Sequence, residues 1–276
     1  MTADPVTIGI PAPESLTHWT DKGVFGFRFG DRGTHTSRTI MLEELSLLFK
    51  TCGPESARDT YREAIVEQNC LGKRTVANRK LSDKRLAEMY ALNPNVTLFR
   101  VMRRLWEADE SGRPLLALFA VLSRDPLLRL TATPILELQA GMELSRQALS
   151  ATLAQGTGSR FNDAILAKVI RNVASSWTQS GHLRGRTHKT RTLVSPTPFV
   201  TAYAILLGYL LGARGQGLFS ILWARLLDSS SEQLIGLATD AKVLGLLDLK
   251  YAGGVVEISP LRLLTKEERR LIHGTD

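Results

Sequence analysis

Residues 159–193 read SRFNDAILAKVIRNVASSWTQSGHLRGRTHKTRTL, and the fold follows from how this stretch divides. Its first half has helical periodicity. Phe161, Ile165, Leu166, Val169, Ile170, Val173 and Trp177 recur at spacings of three and four and make one apolar face. Arg160, Lys168, Arg171, Asn172, Ser175 and Gln179 lie off that face, toward solvent. Gly181 suits the left-handed geometry in which helices end. From His182 to Leu193 the pattern predicts two short strands around the basic turn Gly185-Arg186-Thr187-His188. A basic, amide-bearing helix followed by a basic hairpin is the recognition half of a winged helix-turn-helix. Its helix fits a major groove, and its wing reaches phosphates or the neighbouring minor groove.

Charge points the same way. Arg160, Lys168, Arg171, Arg184, Arg186, Lys189 and Arg191 stand against the single acid Asp163, so this segment holds +6 of the chain's net +8. A helix carrying a few Lys and Arg is ordinarily a solvated face. Like charges this dense repel one another unless a polyanion is the intended neighbour. The expected DNA contacts are therefore Arg171, Asn172, Ser175 and Gln179 in the groove and Arg184, Arg186, Lys189 and Arg191 on phosphate. Arg160, Lys168, His182 and His188 complete the set. A second basic cluster, Lys73, Arg74, Arg79, Lys80, Lys84 and Arg85 against Asp83 and Glu88, is either an auxiliary nucleic-acid surface or an ordinary helix of mixed charge.

The 276 residues are 43% apolar and 22% charged, enough for one large domain or two smaller ones. A pI near 9.7 favours an anionic partner. Cys52 and Cys70 form no CxxC, and the five histidines (His18, His35, His182, His188 and His273) have no ligand spacing. That argues against a metal site or a disulfide framework and fits a reducing cytoplasm. No Gly-rich phosphate loop, GxSxG or HExxH occurs, so neither an enzyme nor a cofactor is expected. The polar, proline-punctuated opening does not read as a signal peptide. Phe199 to Ala213, FVTAYAILLGYLLGA, imitates a membrane span but is shorter than the roughly 20 residues a bilayer needs. It reads as a fully buried helix.

The fold class expected is mainly α: a helical bundle with winged helix-turn-helix modules and two small β-hairpins. Residues 1–33 read as an arm with a short strand or extended packing segment at Phe25, Phe27 and Phe29. Residues 34–132 read as a helical domain, with helices capped by Thr36 or Ser37, opened by Pro54, and capped by Ser82 and Asn95. LLALFAVLS after Pro114 is apolar all round and belongs in the core, and Pro126 and Pro134 open two short helices. In residues 133–195, the winged module, Ser145 caps the second helix. Ser195-Pro-Thr-Pro198 then marks a boundary. Residues 196–276 repeat the outline with a capping box at Ser229 to Glu232, a hairpin turning at Ala252-Gly253-Gly254 and a last helix capped by Thr265. Asp228, Glu232, Asp240, Asp248 and Glu257 against two lysines make this copy acidic, hence structural or protein-binding.

The segments TVANRKLSDKRLAEM (75–89) and ILAKVIRNVASSWTQSGHL (165–183), with the basic positions that follow, resemble the BrxA family, a small subunit of bacteriophage-exclusion (BREX) defence systems. The likeness covers Thr36 to Leu193 and is one of helices and basic positions; the chain departs from the family after Pro198. The resemblance implies a cytoplasmic protein with helix-turn-helix elements that binds double-stranded DNA beside other defence proteins. Two further readings stand beside it. One is an interaction scaffold docking a partner through the C-terminal module. The other is an RNA-binding helical protein, although few aromatics accompany the basic residues to stack bases.

Overall fold

In this computed structural model, which describes residues 23–158, 160–252 and 255–273, helices dominate. The first half holds α1 (Leu42–Thr51), α2 (Arg58–Val66), α3 (Val76–Tyr90), α4 (Thr97–Ala108), α5 (Arg113–Leu122), α6 (Pro126–Leu130) and α7 (Ala132–Glu137). Next come α8 (Arg146–Gly156), α9 (Asp163–Gln179), β1 (Leu183–Arg184) and β2 (Thr190–Arg191). The remainder is α10 (Pro198–Leu210), α11 (Leu222–Arg225), α12 (Ser231–Val243), β3 (Asp248–Ala252), β4 (Val255–Ser259) and α13 (Lys266–His273). The architecture is thus mainly α with two small antiparallel hairpins. The arm expected before Thr20 lies outside the described residues.

Two helices carry the core. Every residue of α5 from Leu115 to Leu122 is buried, as is every residue of α10 from Val200 to Leu210. Neither sequence offers a polar stripe, so neither helix can sit at a surface. Removing each such Leu or Ile from water stabilises the fold by about 1.5–3 kcal/mol. No helix among the described residues is long and apolar enough to cross a membrane. At the anticipated boundary, Thr197 accepts the Val200 N–H (3.2 Å) and caps α10. Buried apolar residues from Phe25 to Leu264 form one continuous cluster, so α10 serves both halves of the chain. The phenylalanine segment is neither a strand nor extended throughout: Gly23–Phe25 form a 3₁₀ turn, after which Phe27 stacks on Phe29 (5.8 Å) and meets Trp223 edge-on (6.3 Å).

The succession expected to form the first winged unit is α7, α8, α9 and the β1–β2 hairpin. At its root a third segment joins the sheet. Glu143 pairs with Thr190, and Leu144 N–H donates to Lys189 O (2.7 Å) while Arg191 N–H donates to Met142 O (2.9 Å). Gly185 makes the wing turn at φ 103°, where any Cβ would meet His188 O at 2.1 Å. The second unit is α10, α11, α12 and β3–β4, in register from Asp248↔Ser259 to Ala252↔Val255. Gly253 and Gly254, at its expected turn, lie outside the described residues.

Several helix starts differ from the sequence reading. Residues Thr34–Thr36 form a 3₁₀ turn, and α1 begins only at Leu42 because Gln179 Oε1, from α9, accepts the Leu42 N–H (3.0 Å). The next helix starts at Arg58 rather than Pro54. Thr75, not Ser82, caps α3 by accepting the Asn78 N–H (3.2 Å), and Ser82 is buried within the helix. Val96 rather than Asn95 precedes α4, and α7 spans Ala132–Glu137 instead of starting at Pro134. The capping box of α12 joins Ser230 to Gln233, one residue later than read. Caps at Ser145 and Thr265 form as expected.

One carboxylate organises the packing of α9. Asp125 Oδ1 accepts the N–H groups of Leu127 (2.9 Å) and Leu128 (3.1 Å), capping α6. Its Oδ2 accepts from Thr34 N–H, from His35 N–H (3.2 Å) and from His35 Nδ1 (2.9 Å). His35 Nε2 lies 2.8 Å from Ser176 Oγ on α9, and that same oxygen accepts the Ile40 N–H (3.0 Å). Gly33 permits this approach, since a Cβ there would lie 2.4 Å from Asp125 Oδ1. Burial works to raise the Asp125 pKa, but His35 and the converging N–H groups outweigh it and hold the carboxyl below its ordinary range. Asp125→Ala strands four buried N–H donors and the His35 ring, so it is expected to cost about 3–5 kcal/mol in urea unfolding. A loss below about 1 kcal/mol would show that this network does not hold the fold together.

Candidate nucleic-acid interface

The helix expected to read DNA forms as α9, capped by Asn162 Oδ1, which accepts the Ile165 N–H (2.9 Å). Val169, Ile170, Val173 and Trp177 are buried as the periodicity requires. Ile165 does not join them and is 40% exposed, since the first turn of α9 projects past the core. Gly181 follows at φ 88°. Trp177 Nε1–H donates to Thr131 Oγ1 (2.8 Å), which ties the inner face of α9 to the end of α6.

The polar residues of α9 divide in a way that periodicity alone does not show. Lys168 and Arg171 are exposed, and Ser175 is half-buried. Asn172 instead turns inward, where its Nδ2 donates to His35 O (2.7 Å). Gln179 is likewise occupied in capping α1. Both were expected in a groove, and both hold the fold. Their partners come from residues 35 and 42, so nothing in the local sequence marks them as internal.

The hairpin shows a similar division. Arg184, Arg186 and His188 are exposed, and His188 Nδ1 lies 2.7 Å from Glu143. Lys189 Nζ donates to Thr178 Oγ1 (2.7 Å) and Gly185 O (3.2 Å), and burial lowers its pKa. Two expected contacts are corrected. Arg191 is 3% exposed; its guanidinium pairs with Asp228 (Nη1 to Oδ2, 3.0 Å) and donates to Ile135 O (3.1 Å). Since Leu183↔Arg191 is the register nearest the core, Arg191 points inward while Thr190 stays half-buried. His182 is fully buried as well. Its Nε2–H donates to Leu226 O (2.9 Å), and Nδ1 lies 2.9 Å from Ser180 Oγ. Neither side chain is placed to touch a phosphate.

Between α8, α9 and the wing runs a groove of about 610 Å³. Its cations are Arg146, Arg171, Arg186 and Lys189, its floor includes Leu149, Ile170 and Ala174, and no acid among the described residues lines it. The sequence pattern does not single out Arg146. Its one signal is a positive charge in the first turn of a helix, where the dipole disfavours it. At the other end of α9, Arg160 pairs with Asp31 and lies over the Phe161 ring (4.9 Å).

Two of the six cations of the auxiliary cluster are ion-paired and a third is held by a carbonyl. Lys73 pairs with Glu44 (2.9 Å), Arg85 with Glu88 (2.7 Å), and Arg79 Nη1 donates to Val66 O (3.3 Å). Arg74, Lys80 and Lys84 remain exposed.

Asp125, His35 and Ser176 stand in the order of a nucleophilic triad, with links of 2.9 and 2.8 Å. All three are buried, at 1%, 0% and 0% exposure, and Ser176 Oγ already donates to Asn172 O (2.9 Å) and accepts from Ile40. No substrate reaches that hydroxyl. Among the described residues no group of His, Cys, Asp and Glu could hold a metal ion. The chain matches no protein-family model and no curated protein.

Burial lowers the His182 pKa from 6.5 to about 4, with the Leu226 carbonyl and Asp228 opposing that shift only in part. Between these values the unfolded chain binds a proton that the folded chain refuses. Stability from this group is complete above pH 6.5 and falls toward pH 4, by about 3 kcal/mol in all. His182→Gln is expected to flatten the pH dependence of urea unfolding between these limits. A slope identical to that of the unmodified protein would mean that His182 takes up its proton equally in both states.

Proposed function

We propose that this chain is a non-enzymatic subunit that binds double-stranded DNA through α9 and the wing. The observation that carries the reading is the acid-free groove between them, with Arg146, Arg171, Arg186 and Lys189 on its walls. Arg171 and Lys168 on the helix and Arg184 and Arg186 on the hairpin have no ion-pair partner among the described residues. Uncompensated cations on two adjacent elements favour a polyanion over solvent alone. The three-stranded root of the wing supports the geometry, because it fixes the hairpin against the helix. Through its resemblance to BrxA, the chain is proposed to work beside the other proteins of a phage-defence complex.

A second reading, a docking scaffold, draws on a different observation. Val243 (82% exposed), Leu244 (50%), Tyr251 (60%) and Val255 (70%) leave apolar side chains open on the acidic C-terminal unit. The two readings are compatible, since the basic and acidic units lie on different elements.

The test is a salt titration of binding to duplex DNA, single strands and structured RNA. Arg186→Ala with Lys189→Ala should weaken binding to every duplex alike and reduce the slope of log affinity against log salt by roughly 2 units, if both neutralise phosphate. Arg171→Ala should cost about 1–3 kcal/mol at a preferred sequence and less elsewhere, if it reads a base. Unchanged affinity and slope in a folded wing variant would remove the wing from the interface. Tighter binding to single strands or RNA than to duplex would replace the DNA reading.

A further inference from the structure

A second basic cleft, of about 680 Å³, opens at the N-terminal side of α9. Arg28 and Arg32 reach it from the segment before α1, Arg85 from α3, and Arg160 from the residues leading into α9. The first and last of these positions lie 132 residues apart in the chain (160 − 28), and only the fold collects them.

The acids in its lining, Asp31 and Glu88, are both engaged. Asp31 is taken by Arg160 and the Glu88 carboxylate by Arg85 (2.7 Å). Arg28 is held only by a neutral group, donating through Nη1 to Glu88 O (3.2 Å). Arg32 is exposed and has no hydrogen-bond or ion-pair partner among the described residues. Arg85 Nε is buried with no acceptor, an expense that proteins ordinarily avoid. Like charge is also crowded here. Arg124 Nε donates to the same Glu88 carbonyl (3.1 Å), and its pKa falls to about 10, first through burial and then through the charge of Arg28. An oxyanion in the cleft would supply the counter-charge that Arg28 and Arg32 lack and offset the repulsion between Arg28 and Arg124.

We propose that this cleft is a phosphate-binding site. Guanidinium groups suit phosphate because their planar N–H pairs match its oxygens two at a time. The phosphate can belong to a duplex backbone or to a free phosphate compound, and the position of the cleft favours the former. It lies before the start of α9, while the groove takes α9 from Ile170 to Ser175, so about ten residues, roughly 15 Å of helix, separate the two basic sites. That distance is about four to five phosphate repeats along one strand. The cleft then anchors the flank of the DNA whose centre the groove holds, and in this form the inference rests on the DNA reading.

The experiment uses the full chain and its Arg28→Ala, Arg32→Ala double variant, with two probes. Pyrophosphate is followed by thermal shift and calorimetry, and a 20-base-pair duplex by salt titration. Pyrophosphate should stabilise the unmodified protein and not the variant. On duplex DNA the variant should bind about tenfold more weakly, with the salt slope reduced by about 0.9 for one phosphate lost. Both changes should add to those of the wing variant. Pyrophosphate binding without any duplex binding supports the site for a free phosphate compound and sinks the DNA reading alone. Duplex binding unchanged in the variant, together with no pyrophosphate effect, overturns the cleft and leaves the groove standing. Unchanged far-ultraviolet circular dichroism checks that the variant is folded, as expected for two exposed side chains.

Discussion

A buried carboxylate must be compensated or it does not stay charged, and Asp125 is compensated from three directions at once. Two N–H groups come from α6, two from the turn at Thr34, and the fifth donor is the His35 ring. Because His35 then reaches Ser176, one charge fixes the N-terminal segment, the bundle and α9 in a single arrangement. The consequence for function lies on the exposed faces of α9 beside these contacts. A helix pinned by polar contacts on one flank and by Trp177 beneath presents Lys168 and Arg171 in a fixed direction. The same network shows how little geometry alone says about catalysis. Acid, imidazole and hydroxyl are in line, but the site is closed and its hydroxyl is used by the backbone.

The wing is fixed by the same kind of constraint. Its inward residue, Arg191, meets Asp228 from the segment between α11 and α12, and His182 meets Leu226 from the same segment. Breaking such a buried pair by removing one partner typically costs about 3–5 kcal/mol, so the hairpin root is not free to swing. Asp228 also accepts the Val194 N–H (3.0 Å), which draws the chain leaving the wing against the second unit. The acidic balance of that unit is correspondingly smaller at its surface than its composition indicates. Asp248 pairs with Arg262 and Glu257 with Lys250, leaving Glu232 and Asp240 without an ion pair among the described residues.

The basic character of the chain has two destinations. Some cations are spent internally: Arg103 lies over Phe49 (4.2 Å) and donates to Cys52 O (2.8 Å), and Arg129 donates to Leu122 O (2.8 Å). These satisfy carbonyls at helix ends, where a positive group is favoured by the dipole as well. Others stay uncompensated, in the groove beside the wing and in the cleft beyond the start of α9. A net charge of +8 does not distinguish the two uses; partners do.

The sequence by itself determined the helical class, the all-round apolar helices α5 and α10, the end of α9 and its inner face from Val169 to Trp177, and the hairpin turning at Gly185. Each depends on local information: periodicity, the absence of a polar stripe, or a glycine where φ is positive. It also held the caps at Ser145 and Thr265, whose acceptors and donors lie three residues apart. Tertiary structure decided where α1 begins, because its cap is Gln179 from a helix 137 residues away. It also decided that Asn172, Gln179, His182 and Arg191 hold the fold, while Arg146 and Arg171 line the groove. A polar side chain's role is set by which partner satisfies it. When that partner is distant in sequence, as His35, Leu42, Leu226 and Asp228 are here, no local pattern records the pairing.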